Sequence, residues 1–181
     1  MDLEKNTLII FTSDNGPWLS YGTHSGSAGN LKEGKGTTWE GGQRVPGLFW
    51  GGSIKPGTIS DLGSTLDIFP TFLDFAGIDN INDRIIDGNN LSHVFKSLSK
   101  SPTENFFYYW GAELMAVRYK SYKLHLKLHE AYDGKPMEVL KKPFLYLTDI
   151  IPDLKAERFS VLSLLAYLIT SSAGLIILIL F

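Results

Sequence analysis

The chain has 181 residues, 44% of them hydrophobic, enough for one ordinary core. Its formal net charge of −2, without a lysine/arginine run, excludes a basic footprint for nucleic acid. The absence of cysteine excludes a disulfide framework and any thiolate metal site, and leaves the redox compartment open.

The amino terminus, Met1-Asp2-Leu3-Glu4-Lys5-Asn6, is charged and has no signal-peptide pattern. It leads into Thr7-Leu8-Ile9-Ile10-Phe11-Thr12, whose β-branched, apolar composition predicts a buried strand. That strand breaks at Ser13-Asp14-Asn15-Gly16-Pro17, a turn carrying one carboxylate and one amide. In an open α/β sheet ligands gather past the carboxyl ends of strands, so Asp14 and Asn15 sit where a metal or polar substrate would be held. Trp18 to Lys32 is a polar, Gly/Ser-rich excursion with Tyr21 and His24, and a loop of that length is usually functional or disordered. Gly34-Lys35-Gly36-Thr37-Thr38 then presents one cation on a flexible turn. A hard cation site and a lysine at one strand end suit an anionic oxyester substrate.

Glu40 and Arg44, beside glycines, have two readings: substrate contact, or a partly buried ion bridge that shapes the loop. The second is favoured, since no general acid is demanded at this spacing. Val45 to Trp50 predicts a strand, and Ile54-Lys55-Pro56-Gly57 a turn. Ser64 to Gly77 is the clearest helix, with Leu66, Phe69, Leu73 and Ala76 at helical spacing and Phe72 widening the stripe. Asp67 or Thr65 caps its start, Pro70 fits near the first turn, and Gly77 ends it. Asp74 reads as a solvated charge. Ile78 to Asn90 lacks calcium-loop spacing and reads as a connection. Leu91 to Leu98 predicts a short amphipathic helix with His93 on its polar side.

From Asn105 the period shortens. Phe106–Trp110, Leu114–Tyr119, Tyr122–His129 and Pro143–Leu147 predict successive strands. In the third, Leu124, Leu126 and Leu128 share the apolar face, opposite Lys123, His125, Lys127 and His129. Two histidines two apart could chelate a metal. The flanking lysines favour a solvated edge instead. Val161 to Phe181 is uncharged and reaches the ~20 residues needed to span a bilayer, with Lys155 and Arg158 flanking it. A transmembrane helix, a buried helix and translated non-native sequence from a frame change all fit that tail.

Phe11-Thr12-Ser13-Asp14-Asn15-Gly16, Gly34-Lys35-Gly36-Thr37-Thr38-Trp39-Glu40-Gly41-Gly42, Arg44-Val45-Pro46-Gly47, Ser64 to Thr71, Ala76-Gly77 and Ile86-Asp87-Gly88 occur in an order that resembles the formylglycine-dependent sulfatases. That arylsulfatase-type family belongs to the alkaline phosphatase superfamily, and the resemblance runs from about Thr7 to Tyr146. It implies the carboxyl-terminal portion of a sulfatase. Residues 1–100 would be part of an alkaline-phosphatase-like α/β sheet domain, 101–150 a small antiparallel β subdomain, and 151–181 the apolar tail.

By resemblance, Asp14 and Asn15 are metal ligands, for Ca2+ or Mg2+. Lys35 binds the substrate sulfate as a catalytic cation, and His24 is a second substrate-side and catalytic candidate, against its reading as a solvated loop histidine. A C/S-x-P-x-R motif, source of the formylglycine nucleophile, does not occur in the chain, which is therefore expected to be inactive alone. The implied partner is a sulfate ester, with no nucleic acid, a membrane reached only through the tail, and no oligomer specified. The implied location is extracytoplasmic: periplasmic, secreted or lysosomal. Two other readings stand beside this one, a non-catalytic, membrane-tethered binding fragment and a phosphoesterase of the same superfamily.

Overall fold

The computed structural model describes residues 3–79, 83–129 and 136–148. The apolar stretch Val161–Phe181 lies outside them, and no described helix is long and apolar enough to cross a membrane. Two compact units form. Among the described residues, those up to Gly16 group with those of Gln43–Phe106, and Pro17–Gly42 groups with those from Phe107 to Thr148.

In the first unit, β1 (Leu8–Thr12) and β2 (Gly47–Gly51) pair antiparallel, with Ile9 opposite Trp50 and Phe11 opposite Leu48. Side chains two apart share a face, so these four apolar groups lie together. They are 52%, 51%, 63% and 62% exposed respectively. The expectation of a fully buried strand is thus half met. Leu8, Ile10 and Phe49 turn to the other, half-buried side. Phe49 packs with Ile54, Ile59 and Phe75 on a core of Leu91, Val94 and Phe95, its ring 4.4 Å from that of Phe95. Each such buried side chain contributes roughly 1.5–3 kcal/mol.

A 3-10 turn (Thr65–Asp67) runs into α2 (Ile68–Phe75), within the predicted helix. The N-cap is Ser64, whose hydroxyl accepts from the Leu66 N–H, while Asp67 returns a bond from the Ser64 N–H at 2.7 Å. Asp67 therefore acts in capping as expected, but it does more. It is almost fully buried, and it also accepts from the Asn89 N–H (2.7 Å) and the Thr103 hydroxyl (3.4 Å). Gly88 makes that reach possible, because a Cβ there would meet the Leu66 carbonyl oxygen at 2.0 Å. The predicted apolar stripe is corrected. Leu66, Phe69 and Phe72 are exposed, whereas Asp67, Pro70 and Thr71 face inward. The Thr71 hydroxyl donates to the Asp67 carbonyl and accepts from the Leu91 N–H, so hydrogen bonding rather than the stripe sets which side is buried.

Asp74 is also more than a solvated charge. It pairs with Lys96 at 3.0 Å, tying α2 to α3 (Ser92–Ser97). A Ser92 hydrogen bond, then Lys96, holds its carboxyl down at about 2.

The second unit holds a four-stranded sheet in the order β3 (Asn105–Trp110), β4 (Glu113–Tyr119), β5 (Tyr122–Leu128), β6 (Glu138–Leu147). It is the small antiparallel sheet predicted, with a bulge in the β5–β6 pairing between His125 and Lys127. The polar side of β5 is the main correction. Lys123 and His125 are not a solvated edge but among the most deeply buried side chains, at 1% and 0% exposure. The segment carrying Thr37–Gly42 supplies their partners.

Candidate functional site

Asp14 and Asn15 lie in the turn immediately after β1, Asp14 exposed and Asn15 half-buried. The Ser13 hydroxyl spans both, 2.8 Å from the Asn15 carbonyl oxygen and 3.5 Å from Asp14 Oδ1. The turn thus places one carboxylate and one amide oxygen on the surface of the first unit.

Lys35 and His24 belong to the second unit. His24 ends a 3-10 segment, Leu19–His24, and is exposed. Lys35 is half-buried. Its N–H donates to the Pro17 carbonyl at 2.8 Å, and its ammonium stands 5.4 Å from the centroid of the Trp18 ring. Gly34 is required by the chain itself. A Cβ there would meet the Pro17 carbonyl oxygen at 2.4 Å and Leu19 Cγ at 2.8 Å. The turn closes through Thr37, whose N–H and hydroxyl both donate to the Gly34 carbonyl, at 3.2 and 2.9 Å. Lys35 is therefore displayed on a hydrogen-bonded loop.

The same loop runs into Trp39 and α1 (Glu40–Gln43). Glu40 Oε1 accepts from Lys123 Nζ at 2.9 Å, and Oε2 lies 3.5 Å from Arg118 Nη1. The structural reading of Glu40 holds, with partners on β4 and β5; Arg44 is exposed. Arg118 and Lys123 are directly opposed across the β4–β5 pair, an unfavourable placement of like charges unless a carboxylate lies between them. Burial pushes the Lys123 ammonium down to about 8, with Glu40 opposing the shift and Arg118 adding to it.

His125 lies in an aromatic box, its ring 4.4 Å from Trp39, 5.4 Å from Phe144 and 5.5 Å from Tyr146. Neither ring nitrogen has a hydrogen-bond partner among the described residues. Burial first, then Lys123 and Lys32, depresses its pKa to about 3, so it packs as a neutral ring. The unfolded chain binds this proton near pH 6.5 and the folded chain only near 3, so stability falls as pH drops across that interval. Urea titrations from pH 7 to 3.5 are expected to show a slope approaching about 1 kcal/mol per pH unit from this group, reduced in His125→Phe. An unchanged slope in that variant would show that His125 is not the titrating group.

A family model described as Sulfatase matches residues 2–78. Over that stretch the chain belongs to the sulfatase family. It is 39% identical over 127 residues to an arylsulfatase of Hemicentrotus pulcherrimus, covering 70% of this chain and 23% of that protein. It is 41% identical over 133 residues to arylsulfatase A of Homo sapiens, covering 69% and 26%. Among solved structures, the PsFucS1 sulfatase from Pseudoalteromonas sp. superposes with a TM-score of 0.75 at 30% identity, over 84% of this chain and 32% of that one. The chain spans about a quarter of the length of the curated relatives it matches.

The sulfatase motifs seen in the sequence are thus carried by folded turns, Asp14-Asn15 in one unit and Lys35 in the other. For a divalent cation, Asp14 and Asn15 have the right hard-oxygen chemistry but supply at most three side-chain oxygens, where Ca2+ takes 6–8. Among the described residues no group of three or more His, Cys, Asp or Glu forms a metal cluster. His125 and His129 each lie against an aromatic ring instead, Trp39 and Trp110 respectively. Arg118, together with Lys123, is the buried cation that sequence reasoning passed over.

Proposed function

We propose that this chain forms part of a sulfuric ester hydrolase of arylsulfatase type, acting on a sulfate monoester in an extracytoplasmic compartment. The observation carrying this is the Lys35 loop, which holds a cation in place by internal hydrogen bonds within a sulfatase-family stretch. Lys35 acts as a compact point charge on the sulfate oxygens and stabilises the charge that develops as the ester is cleaved. His24, exposed on the neighbouring segment, serves the substrate side. Asp14 and Asn15 contribute two oxygen ligands to a Ca2+ or Mg2+ shell whose other donors come from elsewhere. A bound cation there would polarise the sulfate and position the nucleophile. The nucleophile is formylglycine supplied outside these 181 residues, which contain no C/S-x-P-x-R motif.

The test is a graft. Residues 7–146 replace the matched segment of an arylsulfatase, and hydrolysis of p-nitrophenyl sulfate is followed. The graft is expected to turn over, and Lys35→Ala within it to lower kcat about 10²–10³-fold. Full activity after Lys35→Ala would end the sulfate-binding role. Faster cleavage of p-nitrophenyl phosphate than of the sulfate would make the protein a phosphoesterase instead.

A further inference from the structure

The small sheet and the Lys35 loop belong to one compact unit, and their contacts converge on two consecutive residues. Trp39 is held between the Lys32 ammonium, 3.7 Å from its ring centroid, and His125, with Phe144 and Tyr146 completing the enclosure. Glu40 is held by Lys123 and Arg118. Lys123 also donates to the Thr38 carbonyl and lies over the Tyr108 ring at 3.6 Å, so one ammonium grips the loop backbone and its carboxylate together. From there rigidity passes along the loop by short steps. Gly42 N–H reaches the Trp39 carbonyl, Gly41 N–H the Lys32 carbonyl, Trp39 N–H the Thr37 hydroxyl, and Thr37 the Gly34 carbonyl beside Lys35.

We propose that Lys123 and Arg118 are positioning residues for Lys35, so that the small sheet sets the place of the sulfate-binding cation through Glu40. Both cations are buried against the loop, where they hold the Glu40 carboxylate. The inference rests on Lys35 binding sulfate, but the pinning of the loop can be read without it.

The experiment uses the whole chain and amide-resolved NMR. Sodium sulfate is titrated against sodium chloride of equal ionic strength, and exchange of the Lys35, Thr37 and Gly41 amides is measured. The Asn89 amide, bonded to Asp67 in the other unit, is the internal control. Glu40→Gln, which keeps shape and removes charge, is expected to speed exchange at the three loop amides at least tenfold and leave Asn89 unchanged. It is also expected to weaken the sulfate response at Lys35 about tenfold. Lys123→Met should do the same where it folds, and Lys123→Arg should restore most of the response. Lys35→Ala should abolish the response without altering exchange at Gly41. Unchanged loop exchange and sulfate response in Glu40→Gln would overturn the proposal. So would loss of protection that includes Asn89, since that marks a general stability effect. If the wild-type chain gives no sulfate response, the sulfate reading fails, and selective loop exchange in Glu40→Gln alone upholds the pinning.

Discussion

Lys123→Met is expected to lower the unfolding free energy by about 3–5 kcal/mol at pH 7, the usual cost of stranding one partner of a buried ion pair. Lys123 is 1% exposed and Glu40 4% exposed, so water cannot replace the lost ammonium. Arg118 remains, but it stands 3.5 Å from Glu40 Oε2, not from the Oε1 that Lys123 holds, and its Nε donates to the Lys120 carbonyl. The Thr38 carbonyl also loses its donor. Urea denaturation, with Trp39 fluorescence as a reporter inside the cluster, measures the effect. The double variant Glu40→Gln/Lys123→Met should recover a good part of the loss, since no unpaired carboxylate then remains buried. A single-variant loss below about 1 kcal/mol would mean that the site is open to water.

The second large effect concerns Asp67. Asp67→Ala removes the acceptor for two backbone N–H groups and one hydroxyl at once. The lost Ser64 cap costs about 1 kcal/mol and the orphaned Asn89 N–H and Thr103 hydroxyl about 1–3 kcal/mol each, so a total of about 3–7 kcal/mol is expected. For a chain of this size that corresponds to a fall in Tm of roughly 10–20 °C. Asp67→Asn should cost less, because its remaining oxygen can still accept from one N–H. Equal losses in the two variants would show that the charge, rather than the acceptor geometry, holds the turn.

Local signals in the sequence placed most elements. The run Leu8–Thr12, the helix after Ser64 and the period-two text of β3 to β5 are set by short-range patterning, and the structure has them near the expected bounds. The turn chemistry at Asp14-Asn15 and the glycines about Lys35 were equally legible, because they are consecutive. What the sequence hid is burial. Lys123-Leu124-His125-Leu126 alternates as a half-solvated strand would, and nothing within a few residues announces a carboxylate 83 positions away. The same blindness inverted the helix at Asp67. Its inward side is chosen by hydrogen bonds to Asn89, Leu91 and Thr103, which periodicity does not register.

The open side of the β1–β2 ribbon has a consequence for the protein as a colloid. Ile9, Trp50, Phe11 and Leu48 form an oily strip more than half exposed to water, and Leu66 in the 3-10 turn with Phe69 and Phe72 on α2 add exposed ring and methyl surface. A formal net charge of −2 offers little mutual repulsion between molecules. Exposed apolar ribbons of this kind adhere to extended chains and to one another. The shelf life of a concentrated solution will therefore be governed by this strip, and a charged residue in place of Phe11 or Leu48 is where solubility engineering should begin.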